Sequence, residues 1–153
     1  MGYEERLAEL GISLPEPPKP VAVYVPAVRY GNLLFISGQL PTKEGKLLYT
    51  GKVGSEVTVD EAYQSARQAV LNALAIAKQE LGSLDQVERI VKLVGYVASA
   101  SGFIQQPQVV NGASELLGEI FGENGVHARV AIGAAELPLG APVEIELTLG
   151  VRQ

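Results

Sequence analysis

Residues 58–82, TVDEAYQSARQAVLNALAIAKQELG, decide the fold. Thr58 and Glu61 have the spacing of a capping box, and Asp60 and Glu61 put two acids in the first turn, where the helix dipole is positive. From there Ala62, Ala66, Ala69, Val70, Ala73, Leu74, Ala77 and Leu81 recur at helical steps and make one continuous apolar stripe. Gly82 supplies the stop. Alanine dominates the stripe, and small side chains let a helix backbone approach its neighbour closely. The pattern predicts a long helix packed tightly on a sheet.

Upstream, residues 4–10 predict a short helix ended by Gly11, and LPEPPKP at 14–20 forces an extended segment. Residues 21–25 and 33–37 are rich in apolar, β-branched or aromatic side chains and read as a hairpin, with Pro26 and Gly31-Asn32 as turn chemistry. A short strand is expected over 46–49, followed by a loop through Gly51 and Gly54.

Downstream, residues 89–98, RIVKLVGYVA, are apolar on both parities and predict a central strand. Val109, Val110, Ala113, Leu116, Leu117, Ile120 and Phe121 share a face of a second helix over 107–121, with Pro107 near its start and Gly122 and Gly125 at its end. Two final strands are expected at 127–135 and 143–151. In the second, Val143, Ile145 and Leu147 alternate with Glu144, Glu146 and Thr148, so both glutamates share one face.

This order predicts an α+β layer, with two helices on one face of a mixed or antiparallel sheet. The other face needs cover, which identical subunits would supply most simply in a closed homo-oligomer. At 153 residues and 16.2 kDa the chain is one ordinary domain that can bury a core without disulfides or a structural metal. A formal charge of -5 gives no field to attract phosphate backbones, so nucleic acid is a disfavoured partner. No apolar run reaches the ~20 residues that cross a bilayer, and the charged start MGYEERLAEL lacks the apolar centre of a signal peptide. A cytoplasmic protein without a membrane partner is expected. With no cysteine and one histidine, His127, no metal cage is expected, and the absence of a Walker-type loop or GxGxxG points to no cofactor. His127 itself reads as structural.

Two segments carry a resemblance. GNLLFISGQLP at 31–41 resembles the strand-loop segment of the Rid (YjgF/RidA-like, endoribonuclease L-PSP) family. The stretch 129–146, from Arg129 through Leu137-Pro138 to Glu144-Ile145-Glu146, resembles that family's closing signature. Both occur in the family's order around the two helices, and Val110-Asn111 opens the second helix's apolar face as it does there. The resemblance covers about residues 21–152, leaving 1–20 as an N-terminal arm before a single Rid-like domain at 21–153. The arm and the longer loop around 43–56 resemble a longer branch of the family.

The resemblance implies a chorismate-mutase-like, ferredoxin-type layer assembled as a homotrimer with clefts between subunits. It implies hydrolysis of reactive 2-enamine and 2-imine acids to 2-keto acids and ammonia. Carried over by position, Arg129 would hold the substrate carboxylate and Glu144 would bond the reacting water. Tyr24, Ser37, Asn111 and Ala131 would line the cleft. Where the family often has Pro-x-Arg-[Ser/Thr], this chain has His127-Ala128-Arg129-Val130, and Ala131 stands where cysteine is common. That missing context favours a second reading, a non-catalytic trimer that binds small carboxylates or a protein partner, and a third reading, implied by the family, is an endoribonuclease or translation inhibitor.

The residue types suit the chemistry. An arginine fork donates two parallel hydrogen bonds to a carboxylate and stays charged. Imine hydrolysis then needs only orientation and a carboxylate to move a proton from water. The plainer readings are that Arg129 makes an inter-subunit ion pair with Glu144 or Glu146, and that Tyr24, Ser37 and Asn111 are a strand aromatic, a turn residue and a helix-start hydrogen bonder. Strand parity makes Glu146 as good a candidate as Glu144; only family position favours Glu144.

Overall fold

The computed structural model describes residues 2–20 and 22–153. Ten elements follow in order: α1 (Tyr3–Glu9), β1 (Ala27–Tyr30), β2 (Leu33–Gln39), β3 (Thr42–Lys43), β4 (Lys46–Leu47), α2 (Val59–Leu81), β5 (Val87–Ala98), α3 (Gln106–Phe121), β6 (Ala128–Ala134) and β7 (Val143–Val151). The main sheet runs β1-β2-β7-β5-β6, with β5 and β6 parallel and the other pairs antiparallel. Both long helices lie on one face of this mixed sheet, as expected for the fold class.

The capping box forms as the spacing predicts. Thr58 Oγ1 accepts from the Glu61 N–H, and Glu61 Oε1 accepts from the Thr58 N–H. Gly82 takes the left-handed conformation, φ 84°, that ends α2. The small-residue face is used against α3 as well as the sheet: a Cβ on Gly112 would fall 2.0 Å from the Tyr63 carbonyl oxygen, so the two helices pack backbone to backbone. Their apolar stripes bury against Leu34, Ile36, Ile90, Leu93, Ile145, Leu147 and Leu149. The first helix is docked on this body rather than detached from it. Leu7 is buried in the core, Tyr3 packs edge-on against Phe121, and the Glu4 carboxylate accepts the Leu84 N–H and pairs with Lys78.

Three expectations about the strands need correction. The strand expected over 21–25 instead forms at Ala27–Tyr30; Val21 lies outside the described residues, and residues 22–25 form no strand. Gly31-Asn32 is the tight connection, with Tyr30 opposite Leu33, so the strand that can pair is the one immediately before it. Pro26 is therefore a lead-in and not a turn residue. The strand expected over 46–49 is only Lys46–Leu47, and it pairs with Thr42–Lys43 in a separate small hairpin. The expected central strand is second from the edge, between β7 and β6, while β7 occupies the middle.

The face away from the helices is open. Register aligns Val28, Phe35, Thr148 and Lys92 in one row, Glu146, Val94 and Val130 in the next, and Glu144, Tyr96 and Ile132 in a third. Phe35 and Ile132, each 44% exposed, stand on this face with Val28, Leu33 and Val130. Apolar residues on both parities of β5 thus have a physical reason: one parity meets the helices, and the other puts Val94 beside Val130 and Ile132 of β6 on an open face that also carries Lys92, Glu144 and Glu146.

Candidate functional site

The six residues singled out in the sequence fall into two groups on opposite faces of the sheet. Arg129 and Ala131 stand opposite Leu93 and Gly95 on β5, which puts them on the helix-side parity of the edge strand β6. There Arg129 meets α3. Its Nη1 donates to Asn111 Oδ1 at 2.8 Å and to Ser114 Oγ at 3.1 Å, and its Nη2 makes a longer 3.5 Å contact with the Pro107 carbonyl. Residues 107, 111 and 114 are spaced to lie along one edge of the helix, so α3 holds the guanidinium by its flank. Of the ion pairs among the described residues, none involves Arg129.

Sequence reasoning missed Ser114 and set His127 aside as structural, yet both belong to this group. His127 Nδ1 lies 2.6 Å from the Gly125 carbonyl, which can only accept, so Nδ1 carries the proton. Nε2, 2.9 Å from Ser114 Oγ, then accepts the serine proton, and the same hydroxyl oxygen accepts from Arg129. A directional chain runs from the arginine through Ser114 and His127 to the backbone. Burial lowers the His127 pKa below its ordinary value and the Arg129 charge adds to that, both favouring the neutral ring the chain requires. The signal for Ser114 was its i,i+3 spacing from Asn111, which puts the two polar side chains on one edge of the helix.

Tyr24, Ser37 and Glu144 form the second group, around a cavity of about 580 Å3 on the open face, whose wall also includes Phe35, Gly38 and Glu146. The β2–β7 register shifts between Ile36 and Gln39, so Ser37 and Gly38 make a bulge beside Glu144. Gly38 is required there: a Cβ would lie 2.1 Å from Glu144 Oε2, so the carboxylate occupies the space a side chain would fill. Ser37 is turned inward, donating through Oγ to the Val25 carbonyl at 2.7 Å, which ties the segment carrying Tyr24 to the bulge.

Glu144 and Glu146 share a face but differ. Glu146 is exposed and accepts a 3.2 Å hydrogen bond from Tyr96. Glu144 is half-buried and has no hydrogen-bond partner among the described residues. Burial raises the Glu144 pKa above the usual carboxylate range, and the neighbouring Glu146 charge raises it further. Parity left the two equal; the bulge and Gly38 distinguish them.

A family model described as "YjgF/chorismate_mutase-like, putative endoribonuclease" matches residues 4–148. The chain belongs to this YjgF/Rid family. The match begins in α1 and so runs through the amino-terminal segment as well. Protein TCP17 of Trypanosoma cruzi is 43% identical over 141 residues, covering 92% of this chain and 88% of that protein. A 2-iminobutanoate/2-iminopropanoate deaminase of Dermatophagoides farinae is 30% identical over 135 residues, covering 88% of this chain and 91% of that protein. Among solved structures, Atu1372 of Agrobacterium tumefaciens is 44% identical and superposes with a TM-score of 0.90 over 99% of this chain and 92% of its own. No helix among the described residues is long and apolar enough to cross a membrane.

Proposed function

We propose that the protein hydrolyses 2-imino acids, and their 2-enamine tautomers, to 2-keto acids and ammonia, at a site built from Arg129 of one subunit and Glu144 of the next in a homotrimer. The observation that carries the reading is the unpartnered Glu144 carboxylate, seated over Gly38 with a raised pKa in an open cavity. The family's imine deaminase supports the reaction type.

One subunit cannot close the site, because Arg129 lies at the β6 edge with its side chain toward α3 while Glu144 lies on the face away from the helices. A closed ring, in which the β6 edge of each copy meets the open face of its neighbour, joins the halves and covers Phe35 and Ile132. In that ring Arg129, already anchored through Nη1, presents its remaining donors to the substrate carboxylate. Asn111 and Ser114 fix the fork, and Ala131 leaves room beside it. Tyr24 and Ser37 shape the opposite wall.

The reaction needs two proton movements. Glu144 accepts a proton from water as the water oxygen bonds to C2, the C=N electron pair passes to nitrogen, and the proton is delivered there. From the resulting carbinolamine Glu144 takes the hydroxyl proton and returns it to nitrogen, so that the C=O forms as the C–N bond breaks, ammonia leaves and the carboxylate is regenerated. A carboxyl with a raised pKa is closer to the operating pH and so suited to both transfers. The test is ammonia release from imines generated in place, by a threonine dehydratase or by an L-amino acid oxidase acting on alanine or leucine. Acceleration abolished in Glu144→Gln is expected; no acceleration with any of these imines overturns the reading. Cleavage of RNA that survives purification and disappears in Arg129→Ala would support the ribonuclease reading in its place.

A further inference from the structure

A second cavity, of about 770 Å3, adjoins the Glu144 cavity and shares Tyr24 and Gly38 with it. Its outer wall is the extended Pro-rich segment, including Pro17 and Pro18, and its other walls are the β3–β4 hairpin and α2. Leu40, Leu71 and Leu139 supply apolar surface. Glu16, Lys19, Lys43 and Glu44 also line it but are exposed, while Gln68 and Asn72 at its floor are hydrogen-bonded within the wall. Asn72 Nδ2 donates to the Leu40 and Thr42 carbonyls at 3.0 and 2.9 Å, and Asn72 Oδ1 accepts from Gln68 Nε2 at 3.1 Å. These bonds pin the start of the hairpin to α2 and use both N–H donors of the Asn72 amide within the wall. The volume is that of a small-molecule pocket, roughly 300–1,000 Å3.

Resting on the imine-hydrolase reading, we propose that this cavity is the side-chain pocket of the site, and that the substrates are 2-imino acids with bulky apolar side chains in preference to those of alanine or 2-aminobutyrate. A substrate held at C1 by Arg129 and attacked at C2 beside Glu144 has C3 and beyond left to place. The two cavities adjoin at Tyr24 and Gly38, next to the Glu144 carboxylate, and that junction is where the chain would cross from one to the other. The imine of leucine, with a branched four-carbon side chain, fits the apolar walls, whereas a methyl group would leave them wetted and unused.

The experiment compares two readouts in the full-length protein. Calorimetry gives Kd for pyruvate and for 4-methyl-2-oxopentanoate, and the coupled assay gives kcat/KM for imines made by an oxidase from alanine and from leucine. With three extra carbons buried, the leucine-derived acid is expected to bind and react about tenfold better or more. Leu71→Trp fills the pocket, and Leu139→Glu puts a charge at its edge from an exposed loop position that cannot disturb the core. Both variants should erase the preference and leave the values for the alanine-derived acid within about twofold. Equal values for the two acids in the wild type, or a preference that survives both substitutions, overturns the pocket while leaving the hydrolase reading intact. If no imine is hydrolysed faster, the hydrolase reading falls, and the pocket is judged on keto-acid binding alone: tighter binding of the larger acid, lost in Leu71→Trp, keeps it, and its absence removes it.

Discussion

The surroundings of Arg129 and of Glu144, the two halves of the proposed site, are built in opposite ways. Around Arg129 every contact adds fixity: two hydrogen bonds from one guanidinium nitrogen, a serine shared with a histidine, and a backbone carbonyl at the end of the chain. Around Glu144 the contacts are absent, and the side chain is seated by a missing Cβ rather than held by donors. The first arrangement suits a group that must bind the same way each time, the second a group that must take and give a proton. In the proposed ring, a half that binds and a half that reacts lie on opposite faces of one sheet, and closing the ring would cover the open face.

Four substitutions would break or sharpen this contrast. Glu144→Gln should have the largest effect, lowering kcat roughly 100- to 10,000-fold while keto-acid binding by calorimetry persists. The same variant should melt slightly higher than wild type at pH 7. A carboxyl whose folded pKa is raised contributes stability below its unfolded value, and that contribution is lost as pH rises through the folded value, so the charged form is a burden at neutrality. Gly38→Ala follows. Its Cβ displaces the flexible end of Glu144 and not backbone, so kcat should fall about 100-fold with little change in melting temperature, a split read by kinetics and calorimetry together.

Asn111→Ala should act on the other half, raising KM or Kd for the acid about tenfold with kcat nearly unchanged, because it removes one neutral partner of a charged group. The smallest effect belongs to His127. Its folded pKa is lowered, so its contribution to stability is complete above the ordinary histidine value of about 6.5 and is lost as pH falls through the folded value. Protonation also turns Nε2 from acceptor to donor and breaks the chain to Ser114. Affinity for the acid and the melting temperature should therefore both decline on acidification from pH 7 to 5, and His127→Gln should flatten that slope.

Periodicity made much of this legible, and its failures are local. The stripe of α2, the stripe of α3 and the alternation of β7 each depend on many residues, so no single neighbour could override them. Residues 21–25 failed because a short apolar run has the composition of a strand without the pairing, which the Gly31-Asn32 turn gives to 27–30. In the site, residue types pointed to Arg129 and Glu144, but not to the faces they occupy. On β6 and β5 both parities are apolar, so Arg129 could have faced either way until α3 was seen to hold it. Gly38 stood in the GNLLFISGQLP stretch without a role of its own, and its part in seating Glu144 exists only across the β2–β7 pair.

In the proposed ring a working site takes its arginine and its glutamate from different chains. The direct test mixes Arg129→Ala and Glu144→Gln proteins, each inactive alone, by co-refolding at equal concentration. Random assembly of a three-membered ring should regenerate intact sites at about a quarter of the interfaces, and about a quarter of wild-type ammonia release should return. Activity no higher than the sum of the two separate variants would contradict the account.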